Sequence, residues 1–86
     1  MLVNNVGIMY NGCEYFHSHP DNFHRNLINA NIMSATMMSE IVLRIMVKQK
    51  DDPKRKNPAK GVVINLSSFL GCAPFPLFNS YCACKF

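Results

Sequence analysis

"GVVINLSSFLGCAPFPLFNSYCACKF", residues 61–86, is the stretch on which the reading of this chain turns. Gly61 to Leu66 is a continuous β-branched run, as in a parallel strand covered on both faces. Ser67 and Ser68 close it, and a turn-rich loop carrying Gly71, Pro74 and Pro76 follows. From about Leu77 the pattern predicts the start of a helix. Tyr81 stands thirteen positions after Ser68, and Lys85 four residues further on. Residues i and i+4 share a helix face, so Lys85 can bring its ammonium to the Tyr81 phenol. A positive charge there stabilises the phenolate. A tyrosine placed in that way can pass a proton to or from a carbonyl or alcohol oxygen. Ser68, at the mouth of the strand, can hydrogen-bond the same oxygen as charge develops on it.

Working outward, "MLVNNV" (Met1–Val6) is a short apolar run ended by Gly7, which predicts a strand and then a turn. Residues 7–20 mix aromatics, Gly and Pro without a period and read as a loop. Ser18, His19, Pro20 and Asp21 fit a capping box, with Ser18 as N-cap. From Asp21 to about Val47, Phe23, Leu27, Ile28, Ile32, Ala35, Met38, Ile41, Val42, Ile45 and Met46 recur at steps of three and four. That is a long amphipathic helix, with a stripe widened by Met33 and Met37. Asn31 lies inside it, although Asn is a poor mid-helix residue. The order is therefore strand, helix, strand, incipient helix, an α/β pattern that implies a right-handed parallel crossover. Two strands and a helix cannot bury enough surface to offset the entropy of ordering the chain. The expected object is a slice of a larger sheet.

Composition narrows the function classes. The chain has 86 residues, 49% apolar and 16% charged, which is globular rather than disordered. Its net charge of +4 is carried entirely by Lys48–Lys60, which holds six basic and two acidic residues. A basic character confined to one Pro-containing connection argues against a nucleic-acid surface. No run of about 18 apolar residues is present, so no membrane span is expected. Nor does the N-terminus have the basic flank and apolar core of a signal peptide. Cys13, Cys72, Cys82 and Cys84 contain no CxxC pair and are expected as reduced thiols. Cys13, His17, His19 and His24 match no zinc spacing, so no metal is expected. The sequon Asn65-Leu66-Ser67 closes an apolar strand and is discounted.

Four motifs, in order, resemble the short-chain dehydrogenase/reductase family across the whole chain. "NNVG" (Asn4–Gly7) resembles the family's NNAG strand end, and "NIMSA" from Asn31 its active-site helix asparagine. "INLSSFLG" is similar to the serine loop, with Ser68 at the catalytic position, and "YCACK" is the YxxxK signature. Within the family, "LVNNVG", "NANIMSA" and the Pro-x-Pro of "APFPLFNSY" resemble the 17β-hydroxysteroid dehydrogenase type 12 group, the very-long-chain 3-oxoacyl-CoA reductases.

The resemblance implies a β-α-β unit plus the start of a helix from a Rossmann-type doubly wound parallel sheet. Residues 1–86 would be the central part of an NAD(P)-binding domain, without its glycine-rich phosphate turn and its C-terminal substrate region. Tyr81 would be the general acid in reduction. Lys85 would stabilise the phenolate and hold the nicotinamide ribose. Ser68 would orient the carbonyl, and Asn31 would hold a water relaying protons through Lys85. Asn4, Asn5 and Gly7 would support the sheet and line the adenosine side of the cofactor. That cofactor would be NADP(H), with NAD(H) left open, and the substrate a ketone or alcohol on a steroid or fatty acyl-CoA. The complete protein would be a homodimer at the endoplasmic reticulum membrane, touching the bilayer only through segments outside these residues. Met1 then reads as an internal methionine and Phe86 as an arbitrary stop. The other reading is a truncated, non-catalytic product, cytoplasmic if expressed alone, able at most to dock on a complete subunit. In either case the isolated 86 residues are expected to be inactive.

Overall fold

The computed structural model describes residues 1–54 and 60–86. The centre of the basic connection, residues 55–59, lies outside the described residues. Strands β1 (Leu2–Asn4) and β2 (Val63–Asn65) pair in parallel, with Leu2 opposite Val63, Val3 opposite Ile64 and Asn4 opposite Asn65. The ladder continues one bond beyond each end, from Leu2 N–H to Val62 O (2.8 Å) and from Leu66 N–H to Asn4 O (3.1 Å). Parallel strands cannot be joined by a hairpin, so the chain crosses over through a long helix. That helix comprises α1 (Phe23–Ile28), a π turn (Asn29–Met33) and α2 (Ser34–Lys50). After β2 come two short helices, α3 (Phe69–Cys72) and α4 (Asn79–Lys85). The predicted β-α-β crossover and following helix are all present.

The expected boundaries shift for local reasons. Ser18 does not cap the long helix: residues Phe16–Ser18 form a 3₁₀ turn, with Ser18 N–H bonded to Tyr15 O. The helix begins two residues later than predicted, after Phe23 N–H has closed a turn on Pro20 O at 2.9 Å. It runs to Lys50 rather than Val47, because Lys48 and Lys50 favour the negative end of the helix dipole. The serine loop contains α3, which Ser68 caps. Strand β2 is half-buried to exposed rather than covered on both faces: Val63 is half-buried, and Ile64 and Asn65 are exposed.

One expectation needs correction. The segment Phe23–Lys50 is 28 residues long, with a mean hydropathy of 1.3 in its most apolar 18-residue window, so it is long and apolar enough to cross a membrane. Polar Asn26, Asn29, Asn31, Ser34, Thr36 and Ser39 interrupt the run, which is why no uninterrupted stretch is visible in the sequence. In the fold it serves as the crossover helix, packed on β1 and, near its start, on α4.

The core is small and aromatic. Tyr10, Leu27, Phe78 and Cys82 are buried, with Phe23, Leu70, Tyr81 and Cys84 packed against them. The Tyr10 ring stacks on Phe78 (centroids 5.3 Å apart, planes at 18°) and meets Phe23 at 4.9 Å. Tyr10 also does a cap's work. Phe78, at the N-cap of α4, makes no side-chain cap bond, and Ser80 N–H instead donates to Tyr10 Oη at 3.2 Å. Leu77, with φ of +69°, turns the chain sharply into α4. A non-glycine residue there costs about 1–3 kcal/mol, which the burial of Phe78 next to it offsets.

Leu27 is wholly buried between α1 and α4. Leu27→Ala is expected to lower stability by about 2–5 kcal/mol, measured by chemical denaturation.

Candidate functional site

Both strands end at the same edge of the sheet, and the loops leaving them build the site, as ligand sites in open α/β sheets require. From β1 the chain passes Asn5 to Gly7, and from β2 it passes Leu66 to Ser68. Lys85, at the end of α4, reaches back to this edge and its ammonium donates to Leu66 O at 3.3 Å. A Cβ placed on Gly7 would lie 3.1 Å from Lys85 Nζ and 3.1 Å from Asn31 Oδ1. Gly7, Asn31 and Lys85 thus converge from three separate segments.

Asn31 is buried, and both ends of its amide are engaged. Ile8 N–H donates to Asn31 Oδ1 at 2.8 Å, and Asn31 Nδ2 donates to Ile8 O at 2.9 Å. The side chain therefore completes the backbone pairing of the segment after β1, as a further strand would. It sits in the π turn, where Ser34 N–H reaches back five residues to Asn29 O. Such a wide turn alters the main-chain pairing of the helix and is frequent at functional sites. Beside it, burial pushes the Cys84 thiol up, against the opposing pull of the Lys85 ammonium and a hydrogen bond with Asn31.

The remaining predicted residues divide. Tyr81 is half-buried on α4, one turn before Lys85. Among the described residues no hydrogen bond joins its phenol to Lys85 or Ser68. Ser68 is extended (φ −146°, ψ 159°), and its Oγ accepts weakly from Leu70 N–H at 3.4 Å. Asn4 Nδ2 donates to Ser39 Oγ at 2.9 Å and to Asn65 Oδ1 at 2.7 Å, tying β1 to both α2 and β2. Asn5 is exposed. A cleft of about 380 Å³ opens between the long helix and the strand ends, with Asn4, Asn31, Ser39, Asn65 and Lys85 among its lining residues.

Sequence reasoning gave no role to two residues that fix the end of α4. The Ser67 hydroxyl donates to Lys85 O. Gly71 lies directly beneath the same peptide: a Cβ there would stand 2.6 Å from Lys85 C and 2.9 Å from Ser67 Oγ. Ser67 adjoins the catalytic candidate and Gly71 is the glycine three residues after it, but nothing in the sequence places Lys85 above them. His24, weighed only as a metal ligand, instead bridges Phe16 O and Ser80 Oγ.

The family model described as short chain dehydrogenase matches residues 1–86. The chain is 41% identical over 87 aligned residues to very-long-chain 3-oxoacyl-CoA reductase-A of Danio rerio, covering 99% of this chain and 24% of that protein. It is 39% identical over 85 residues to hydroxysteroid dehydrogenase-like protein 1 of Gallus gallus, covering 99% of this chain and 23% of the relative. The crystal structure of serine dehydrogenase from Escherichia coli superposes with a TM-score of 0.76 at 30% identity, covering 98% of this chain and 34% of that one. The chain spans about a quarter of the length of the curated relatives it matches.

Gly71→Ala is expected to cost at least about 1–3 kcal/mol in chemical denaturation, because the methyl meets main chain that cannot rotate away. Gly12→Ala, where a Cβ would meet nothing within 4 Å, serves as the control and is expected to stay within about 0.5 kcal/mol of the parent.

Proposed function

The chain belongs to the short-chain dehydrogenase family, and on that footing we propose that it is the central segment of an NADP(H)-dependent oxidoreductase interconverting a ketone and an alcohol on a lipid-like substrate. The observation that carries the proposal is the convergence of Lys85, Asn31 and Gly7 at the carboxyl ends of two parallel strands. Tyr81 lies one helical turn from Lys85 on the same element.

The fit to a dinucleotide is local. A cationic donor at the strand ends, above a glycine that leaves room for it, suits the hydroxyls of the nicotinamide ribose. The family resemblance assigns Asn4 and Asn5 to the adenosine side. Asn4 is engaged within the sheet, so its contribution there is to shape the floor. When bound, a reduced nicotinamide supplies a hydride to the carbonyl carbon.

The chain's own residues then have distinct tasks. Tyr81 gives its phenolic proton to the carbonyl oxygen as the alcohol forms. Lys85 stabilises the phenolate left behind. Ser68 donates its hydroxyl hydrogen to the same oxygen and orients it, since the long bond from Leu70 N–H occupies only an acceptor lone pair of Oγ. Asn31 has its amide committed to Ile8, so a relay water belongs on the main chain of the π turn rather than on the side chain.

The names of the similar proteins support a 3-oxoacyl-CoA or steroid as substrate. Location at the endoplasmic reticulum membrane rests on the subfamily resemblance alone. The exposed stripe of Ile32, Met33, Met37 and Ile41 on the long helix favours a second copy as partner. It equally supports the alternative, in which this segment alone docks on a complete subunit without catalysing.

In the complete reductase, Tyr81→Phe is expected to lower kcat for carbonyl reduction by at least about 10²-fold while NADPH affinity stays near that of the parent. Lys85→Ala is expected to lower both. Steady-state kinetics with a long-chain 3-oxoacyl-CoA, together with NADPH fluorescence titration, check the pair. Loss of folding or of NADPH affinity in Tyr81→Phe would identify a structural tyrosine instead.

A further inference from the structure

Helix α4 has no side-chain cap of its own, yet its first turn is held by two long-range bonds that meet on Ser80. Ser80 N–H donates to Tyr10 Oη at 3.2 Å, and Ser80 Oγ lies 2.8 Å from His24 Nδ1. The other ring nitrogen, His24 Nε2, lies 3.1 Å from Phe16 O. A carbonyl oxygen only accepts, so Nε2 carries the hydrogen; in the neutral ring Nδ1 is then an acceptor, and the Ser80 hydroxyl donates to it.

The ring has little freedom to turn. Phe16 stacks on it at 4.4 Å, while Phe23 and His19 meet it edge-on at 5.3 and 5.2 Å. The result is a rigid bridge from the 3₁₀ turn, through one imidazole, to the residue immediately before Tyr81.

We infer that His24 is a positioning residue for Tyr81, acting through Ser80; the inference rests on the reductase reading above. The bridge fixes the start of α4 while Ser67 and Gly71 fix its end, so the Tyr81 phenol is registered against the site from both directions. Small displacements of a proton donor cost rate steeply while leaving cofactor binding alone, because Lys85 is anchored separately on Leu66 O.

The test pairs two substitutions. His24→Asn keeps a hydrogen-bonding atom at the Nδ1 position, whereas His24→Gln keeps one at Nε2 and loses the bond to Ser80. In the complete reductase, His24→Gln and Ser80→Ala are each expected to lower kcat about tenfold, with the KM for NADPH and the thermal midpoint unchanged. His24→Asn is expected to stay within about twofold of the parent, and the double variant to be no slower than either single one. Ring ¹⁵N shifts of His24 in the same protein are expected to show hydrogen on Nε2 and an accepting Nδ1 that moves in Ser80→Ala.

Unchanged kcat in His24→Gln, no rescue by Asn, or the opposite tautomer would each overturn the inference alone. An intact bridge in a protein without reductase turnover would overturn the reductase reading and, with it, the positioning role.

Discussion

The parallel pairing of Leu2–Asn4 with Val63–Asn65 is the constraint from which the rest of this structure follows. It forces a long crossover, which the helix from Phe23 to Lys50 supplies, and it sends both strand ends to one edge. Asn4 is then within reach of both Asn65 and Ser39, so one amide side chain joins both strands to the helix above them. The loops that leave this edge carry Gly7 and Ser67, and α4 folds back over them. A hairpin would have put the two loops at opposite ends, and Lys85 could not have met both Gly7 and Leu66 O.

Asn31 shows how the helix is joined to the site. A buried amide left without partners is costly, and here both of its ends are satisfied by the main chain of one residue, Ile8. The bond pair holds the segment after β1 against the helix without another strand. The π turn at this position, Asn29–Met33, is the form the helix takes where Asn31 meets Ile8. The residue that holds the loop also lies beside Lys85, over Gly7.

The energetics of the core match this division. Three buried residues, Leu27, Phe78 and Cys82, share the core with Tyr10, whose ring packs the loop onto α1 and whose hydroxyl caps α4. Elsewhere the long helix presents Ile32, Met33, Met37 and Ile41 to solvent, and the backbone extends 56 Å along its major axis. Apolar cover of that extent is what further layers of an α/β domain provide. Precision is therefore concentrated at the strand ends and around α4, where polar bonds and close backbone contacts replace bulk burial.

The α/β order, the long helix and the family are legible along the chain, because hydrophobic period and four short motifs are properties of neighbouring residues. The sequence marked Tyr81 and Lys85 by spacing and Asn31 by the resemblance of its motif, and the structure brings Asn31 and Lys85 to one point over Gly7. It misplaced the start of the long helix, since a Ser-x-x-Asp pattern at residues 18–21 looks like a cap whether or not the backbone turns there. The pairing of Asn31 with Ile8, the clasp of Ser67 and Gly71 on the end of α4 and the bridge from His24 to Ser80 emerge with the folded chain and not before. Those partners lie 14 to 56 residues apart, as in Gly71–Lys85 and His24–Ser80, and no local pattern encodes them. They meet because the crossover returns the chain to the edge it left.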